Sequence, residues 1–479
     1  MGPSRLSSLE VTHLLESNDP PLDTDVLPIR HFLGEKQSRL DDLNAKIDEL
    51  QAALGQLLSE RDEVADLVQR HSAILAPIRR VPIDVLSEIF SWTSFTRRVR
   101  GTERDSPPWI LGHICQSWRS LVLSSPLLWR SIEIIPDVHP MSMLQSQLLR
   151  SAHIPLDITL RWEGNAHEMA LLSLLVTHCL RWRALHVKVA SKNTKILMRL
   201  RDIYGRVPQL TRFTFEDTTN IYSVDHEVSF LSQAPSLREV IFTDSTFLGL
   251  APRFQIPWAQ ITRYRGSFRA LDQLHILSTC SNLVDCSLLS TAPRIPPSDV
   301  PISLPRLRRL RVEDSCGLLS HIVAPRLEEL LMEANFPAVL PLISRSSCRL
   351  RSLILCQGCQ FDSSSAFADL LRALPNLEHL AIVPVGNPSL SHIWDVMTIS
   401  GTDSQATLCP NLQSFTCRWH ERIDSMLAVM LRSRHGQLRV LRFVSRDHER
   451  VSEEELKRVV EECPGLDVAV LKARKLPSF

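Results

Sequence analysis

One spacing constrains this chain more than any other feature. From about residue 150 a unit Pro-x-Leu-x-x-Leu-x-apolar keeps returning. It reads Pro208-Gln209-Leu210 with Phe213 and Phe215, Pro235-Ser236-Leu237 with Val240 and Phe242, and Pro305-Arg306-Leu307 with Leu310 and Val312. Pro325-Arg326-Leu327 with Leu330 and Met332 and Pro375-Asn376-Leu377 with Leu380 and Ile382 follow the same pattern, and weaker copies start at Trp182, Ile261, Leu283, Leu350, Leu412, Leu438 and Leu466. Counting the leucine as 0, apolar residues at +3 and +5 suit a short strand that turns one side inward. The chain must then turn and return, and helical patterns suited to the return stand at 270–278, 366–374, 423–432 and 453–462. The last opens with a Ser452-x-x-Glu455 capping box. One unit of this size cannot bury its own apolar face, so roughly a dozen must stack. The expected class is α/β, with the stack spanning 136–479.

The spacing resembles the leucine-rich repeat in a degenerate form. Position +8 is Thr218, Ser245, Thr291, Ser315 and Asn335 in five copies. Such side chains can bond the backbone of their own turn, the job that the family gives to Asn or Cys there. The resemblance implies a curved solenoid that binds a protein partner on its concave strand face. The outward positions of the strands are +2 and +4. They point to Arg309, Arg311, Leu331, Ile241 and Ile354 as candidate target contacts, with the aliphatics as anchors and the arginines setting orientation.

A second constraint lies at 77–135. Pro82 suits the first turn of a helix, and Val85, Leu86, Ile89 and Phe90 make an apolar stripe behind it. Ile114-Cys115-Gln116-Ser117-Trp118-Arg119-Ser120-Leu121 follows, and then Pro126-Leu127-Leu128-Trp129. About 55 residues are too few to bury so much Leu, Ile, Phe and Trp alone, so part of this surface should serve something else. The order and spacing of these pieces resemble an F-box of the fungal type. Asp84 stands where that family usually has Glu, and a polar, basic insert occupies about 96–107. The resemblance implies docking onto the Skp-type linker of an SCF cullin-RING ubiquitin ligase. The linker contacts it implies are Pro82, Leu86, Ile89, Phe90, Ile114, Cys115, Trp118, Leu121 and Trp129, although Trp118 and Trp129 read equally well as plain core.

Residues 1–30 carry the breaker Asn18-Asp19-Pro20-Pro21 and read as largely disordered, with a short helix at 7–16. Residues 31–76 read as one long helix. Leu33, Leu40, Ile47, Leu54, Val68 and Leu75 take one heptad position, and Leu43, Leu50, Leu57 and Val64 take the other. Lys36, Arg61 and His71 interrupt this seam. Two readings stand open: a homodimeric coiled coil through 33–75, or a lone helix packed on the body of its own chain.

Composition bears on what the chain does not advertise. Its 479 residues carry a formal charge of +1, which gives no electrostatic case for nucleic acid. The longest mostly apolar run, 169–176, is too short to span a bilayer. Eleven cysteines, an odd number, and an Asn387 spoiled as a glycan acceptor by Pro388 favour a reducing compartment, cytoplasmic or nuclear. His167-Glu168 starts a zinc-protease motif, but Leu171 ends it. Cys356-Gln357-Gly358-Cys359 is a lone CxxC, read as small residues of a repeat turn. No glycine-rich phosphate loop and no Gly-x-Ser-x-Gly elbow occurs. The expectation is a non-enzymatic adaptor without cofactor or metal, which holds a protein target for ubiquitin transfer by other subunits. The alternative is a coiled-coil and repeat scaffold outside any ligase.

Overall fold

The computed structural model describes residues 14–17, 19–93, 107–135, 140–189, 195–217, 227–244, 254–290, 301–314, 317–333, 336–357, 364–384, 390–399, 408–418, 425–445, 461 and 465–472. It divides into two compact units, Met1–Leu86 and Ser87–Phe479. The divide falls within the helix Ile83–Thr93, inside the segment that the sequence suggests as one small domain.

In the first unit the dominant element is the helix Asp23–Ile74, 52 residues long. It begins well before the heptad and takes in residues 23–30, which the sequence reading left disordered. The Pro20-Pro21 breaker stops just short of it, and Asp23 and Asp25 in the first turn suit the positive end of the helix dipole. Pro28 sits in the second turn, where its missing N–H costs a single hydrogen bond. No residue of this helix is buried. Leu50 is 69% exposed and Leu57 63%. Among the described residues the seam is thus exposed along its length.

In the second unit a large parallel sheet carries the mass. Fourteen strands among the described residues run from Ser131–Ile134 to Asp467–Lys472 in strict chain order, each hydrogen-bonded in parallel to the one before it in the sheet. Among the described residues the short pair Ile302–Ser303 and Ile322–Val323 forms a two-stranded sheet of its own. The +3 and +5 residues fall on the buried side as expected: Phe213, Val240, Leu310, Val312, Leu330, Met332, Leu380 and Ile382 are all essentially inaccessible. Return helices occur at Ala270–Thr279, Ser364–Arg372 and Ser425–Ser433. The five +8 positions and nearly all of 453–462 lie outside the described residues.

A recurring joint fixes one strand to the next. The carbonyl of Thr211 accepts from both Arg238 N and Glu239 N, at 2.9 and 3.0 Å. Arg238 O then accepts from Thr262 N and Arg263 N, Thr262 O from Val284 N and Asp285 N, and Val284 O from Arg308 N and Arg309 N. The relay continues in the same two-donor form through Arg308, Glu328, Arg351, Glu378 and Gln413. Each of these carbonyls uses both lone pairs, so along this relay the start of one strand is set by the start of its neighbour.

Arg434 is a long-range pin near the far end of the sheet. It is 2% exposed, and its guanidinium donates to the carbonyls of Met397 at 2.6 Å and Leu408 at 2.8 Å. Burial lowers its pKa. Arg434→Met would leave those carbonyls without their donor in a buried site. A loss of about 3 kcal/mol is expected, from two charge-assisted bonds of ~1.5–3 kcal/mol each partly offset by the relieved burial of charge. Urea denaturation followed by circular dichroism reads it, and an unchanged midpoint would contradict the role.

Candidate functional site

Two surfaces hold the residues singled out by sequence. The first is the helical segment 77–135, which the divide after Leu86 crosses. Phe90 is 1% exposed and meets Trp118 edge to face, with ring centroids 4.8 Å apart. Trp129, also 1% exposed, donates its Nε1–H to the Val122 carbonyl at 2.9 Å and meets Trp109 edge to face at 4.9 Å. The Arg150 guanidinium lies over both Trp109 and Trp129, at 4.8 and 4.5 Å from the ring centroids. Arg150 closes the helix Met141–Arg150, so this stack ties that helix to the Pro126–Trp129 turn. Sequence reasoning missed Trp109 and Arg150. The visible signal was a tryptophan directly behind Pro107-Pro108.

Burial corrects part of the docking assignment. Leu86, Phe90, Leu121 and Trp129 are buried, so their side chains turn into the fold rather than toward a partner, which for Trp129 is the plain-core reading that the sequence also offered. Trp118 is half-buried against Phe90. Pro82, Ile89, Ile114 and Cys115 are exposed. The helix Ile83–Thr93 is apolar on two sides: Leu86 and Phe90 are buried, whereas Val85, Ile89 and Trp92, at i, i+4 and i+7, are exposed. Trp92 is 68% exposed, its Nε1–H held by Glu88 Oε1 at 2.8 Å. Eight large apolar side chains are exposed between 83 and 127, namely Ile83, Val85, Ile89, Trp92, Ile110, Ile114, Leu123 and Leu127. Among all later described residues there are six, Leu149, Leu180, Met198, Tyr204, Leu271 and Val429. Past the long helix, which has its own exposed apolar seam, exposed apolar surface is thus concentrated in one short segment, the mark of an interaction surface.

The second surface is the strand face turned away from the main core. Register lines its +2 residues into one lateral row: Arg212, Glu239, Arg263, Asp285, Arg309, Glu329. The signs alternate across six strands. Arg212 pairs with Glu239 at 2.7 Å and Arg309 with Asp285 at 3.0 Å. The +4 row holds Ile241, Arg265, Ser287, Arg311, Leu331 and Ile354. Arg311 bridges Glu313 and Glu333, both at 2.7 Å. Burial and the nearby Glu313 carboxylate push the Glu333 pKa up, and Arg311 pulls it back. A cavity of about 150 Å³ opens on this face, lined by Glu239, Arg263, Arg265, Asp285, Arg309 and Arg311 with Ile241. Both of its carboxylates are engaged by Arg212 and Arg309, and Arg263 and Arg265 have no ion pair among the described residues. The cavity therefore carries an excess of positive charge that sequence reasoning did not locate.

Leu331 and Ile354 need correction as exposed anchors. They are 4% and 5% exposed and pack with Cys356, Ala381, Val383 and Val444 as a small apolar cluster. Ile241 stays half-buried, and the Arg309 and Arg311 side chains keep about a third of their surface.

The residues weighed for chemistry have structural tasks here. Burial pushes the Cys356 thiol up to about 12, and Cys359 lies outside the described residues. Glu168 is buried, and its Oε2 accepts from the backbone N–H groups of Glu163 and Gly164, closing the turn before its helix. Asn165 caps that helix by accepting from Glu168 N. Among the described residues no group of three or more His, Cys, Asp or Glu could hold a metal ion, and no helix is long and apolar enough to cross a membrane. The chain matches no protein-family model, and no curated protein matches it in sequence.

Proposed function

We propose that this chain is the substrate-recognition adaptor of an SCF-type cullin-RING ubiquitin ligase. Its F-box-like segment docks the Skp-type linker, and its leucine-rich-repeat-like solenoid captures a protein target. The observation that carries this reading is the two-sided helix Ile83–Thr93. One apolar stripe is spent inside the fold and the other, Val85, Ile89 and Trp92, is left outside. Catalysis of ubiquitin transfer belongs to other subunits, and the gain comes from holding target lysines near the charged conjugating enzyme. The direct experiment is co-purification of the full chain with the Skp-type linker, from a mixture of purified components. No complex at micromolar concentrations of both would leave the scaffold reading in its place.

On the target side the reading assigns capture to the open strand face, and within it to the arginine-lined cavity. An acidic group of the target would pair with Arg263 and Arg265, while Arg309 and Arg311 keep their internal partners. Arg263→Glu with Arg265→Glu should reduce target capture by on the order of 30-fold or more, since a desolvated charge pair truncated on one side costs ~2–5 kcal/mol. Linker binding serves as the folding control. Capture that survives this pair moves the target site elsewhere.

A further inference from the structure

The uncovered seam of the long helix says which partner it fits and in which sense. Its positions are Leu33, Lys36, Leu40, Leu43, Ile47, Leu50, Leu54, Leu57, Arg61, Val64, Val68 and His71. They repeat with the alternating three- and four-residue steps of a two-stranded coiled coil, and none is buried. At 1.5 Å per residue the seam is about 60 Å long.

Two copies could run in the same direction or opposite ones, and the seam's charges separate these arrangements. In a parallel, in-register pair every residue faces its own copy. Lys36 would meet Lys36, Arg61 would meet Arg61 and His71 would meet His71, so two layers place like charges face to face. The flanking positions would not compensate: Arg39 would face Asn44, Lys46 would face Gln51, and Glu60 would face Ala65. In an antiparallel pair centred between Leu50 and Leu54 the layers become Leu50–Leu54, Ile47–Leu57, Leu43–Arg61, Leu40–Val64, Lys36–Val68 and Leu33–His71. Every polar seam residue then faces an aliphatic one, and the long Lys and Arg stems can lie along it with their charges outward. The flanking Lys46 of one copy falls beside Glu60 of the other, twice by symmetry. Sliding this pair by one heptad in one direction sets Lys36 against Arg61. Sliding it in the other direction removes the Lys46–Glu60 match. One sense and one register satisfy the charges.

We infer that the helix Asp23–Ile74 binds the same helix of a second copy of this chain, antiparallel, with Leu43 of each opposite Arg61 of the other. The two Ile74 ends then stand about 65 Å apart. This inference is independent of the ligase reading.

The test uses the full chain. Sedimentation should give twice the chain mass at ten micromolar, and Leu50→Lys should give the single mass with helicity retained. Leu43→Cys and Arg61→Cys then report the sense, because like positions are about 27 Å apart in the antiparallel pair and adjacent in the parallel one. Mixing the two single variants under mild oxidation should yield a linked 43–61 peptide by mass spectrometry, with neither variant linked to itself. Self-linked 43–43 or 61–61 peptides would overturn the antiparallel sense, and a monomer at ten micromolar would overturn the dimer.

Discussion

Ile89→Glu combined with Trp92→Glu is expected to abolish binding of the chain to the Skp-type linker while leaving the chain folded. Both side chains are exposed, at 43% and 68%, so neither supports the core. Interface anchors cost about 2 kcal/mol or more each when lost, and two together amount to on the order of a thousandfold in affinity. Placing carboxylates in a desolvated contact can only add to this. The informative control is Leu149→Glu, which changes an apolar residue exposed at 81% outside the 83–127 segment and should leave the affinity unaltered. A titration of labelled linker reads both. Equal affinity for the wild type and the Ile89/Trp92 variant would remove the exposed stripe, and with it the F-box-like assignment. Leu86→Ala with Phe90→Ala is the wrong experiment for this purpose, since both residues are buried and a loss of binding would report unfolding instead.

The second large effect is on stability. Trp129→Ala should destabilise the second unit by about 5 kcal/mol, at the top of the ~3–5 kcal/mol range for removing a buried aromatic. Three additional losses push it there. The Val122 carbonyl loses its buried donor, Trp109 loses its edge contact, and the Arg150 guanidinium loses one of its two rings. Trp129→Phe separates these contributions, because it keeps a ring under Arg150 and deletes the Nε1–H. A cost of about 1–2 kcal/mol is expected for that variant. Thermal melting by near-ultraviolet circular dichroism gives the order wild type, Phe, Ala. An alanine variant within 2 kcal/mol of wild type would show that the stack does not hold this region.

The inward side of the sheet was legible because it is written locally. Leu310 and Val312, or Leu380 and Ile382, lie two residues apart, and a period of two is visible in any short window. The open face was only half legible. Outward positions could be named, but the lateral row joins residues 20 to 30 apart in sequence, and Arg263 cannot be seen to lie between Glu239 and Asp285 until register is known. Leu331 and Ile354 were misread for a related reason: an outward side chain is buried when its neighbours on the same face are also apolar, as Cys356, Ala381, Val383 and Val444 are. On the helix Ile83–Thr93 both apolar stripes have the same composition. Periodicity finds them, but which one turns inward depends on Trp118, which sequence separates from Phe90 by 28 positions. The long helix was legible from its heptads, and its early start was hidden by Pro28.

The alternating row of Arg212, Glu239, Arg263, Asp285, Arg309 and Glu329 also governs how fast anything can arrive at that face. Three positive and three negative charges, interleaved strand by strand, cancel within one Debye length, about 8 Å at physiological ionic strength. From this row an approaching protein therefore feels almost no long-range field, and the positive excess at Arg263 and Arg265 acts at short range. Its encounter rate stays near the unsteered ~10⁵–10⁶ M⁻¹s⁻¹ and changes little with salt. Discrimination between partners is then postponed until contact and falls on how long each one stays.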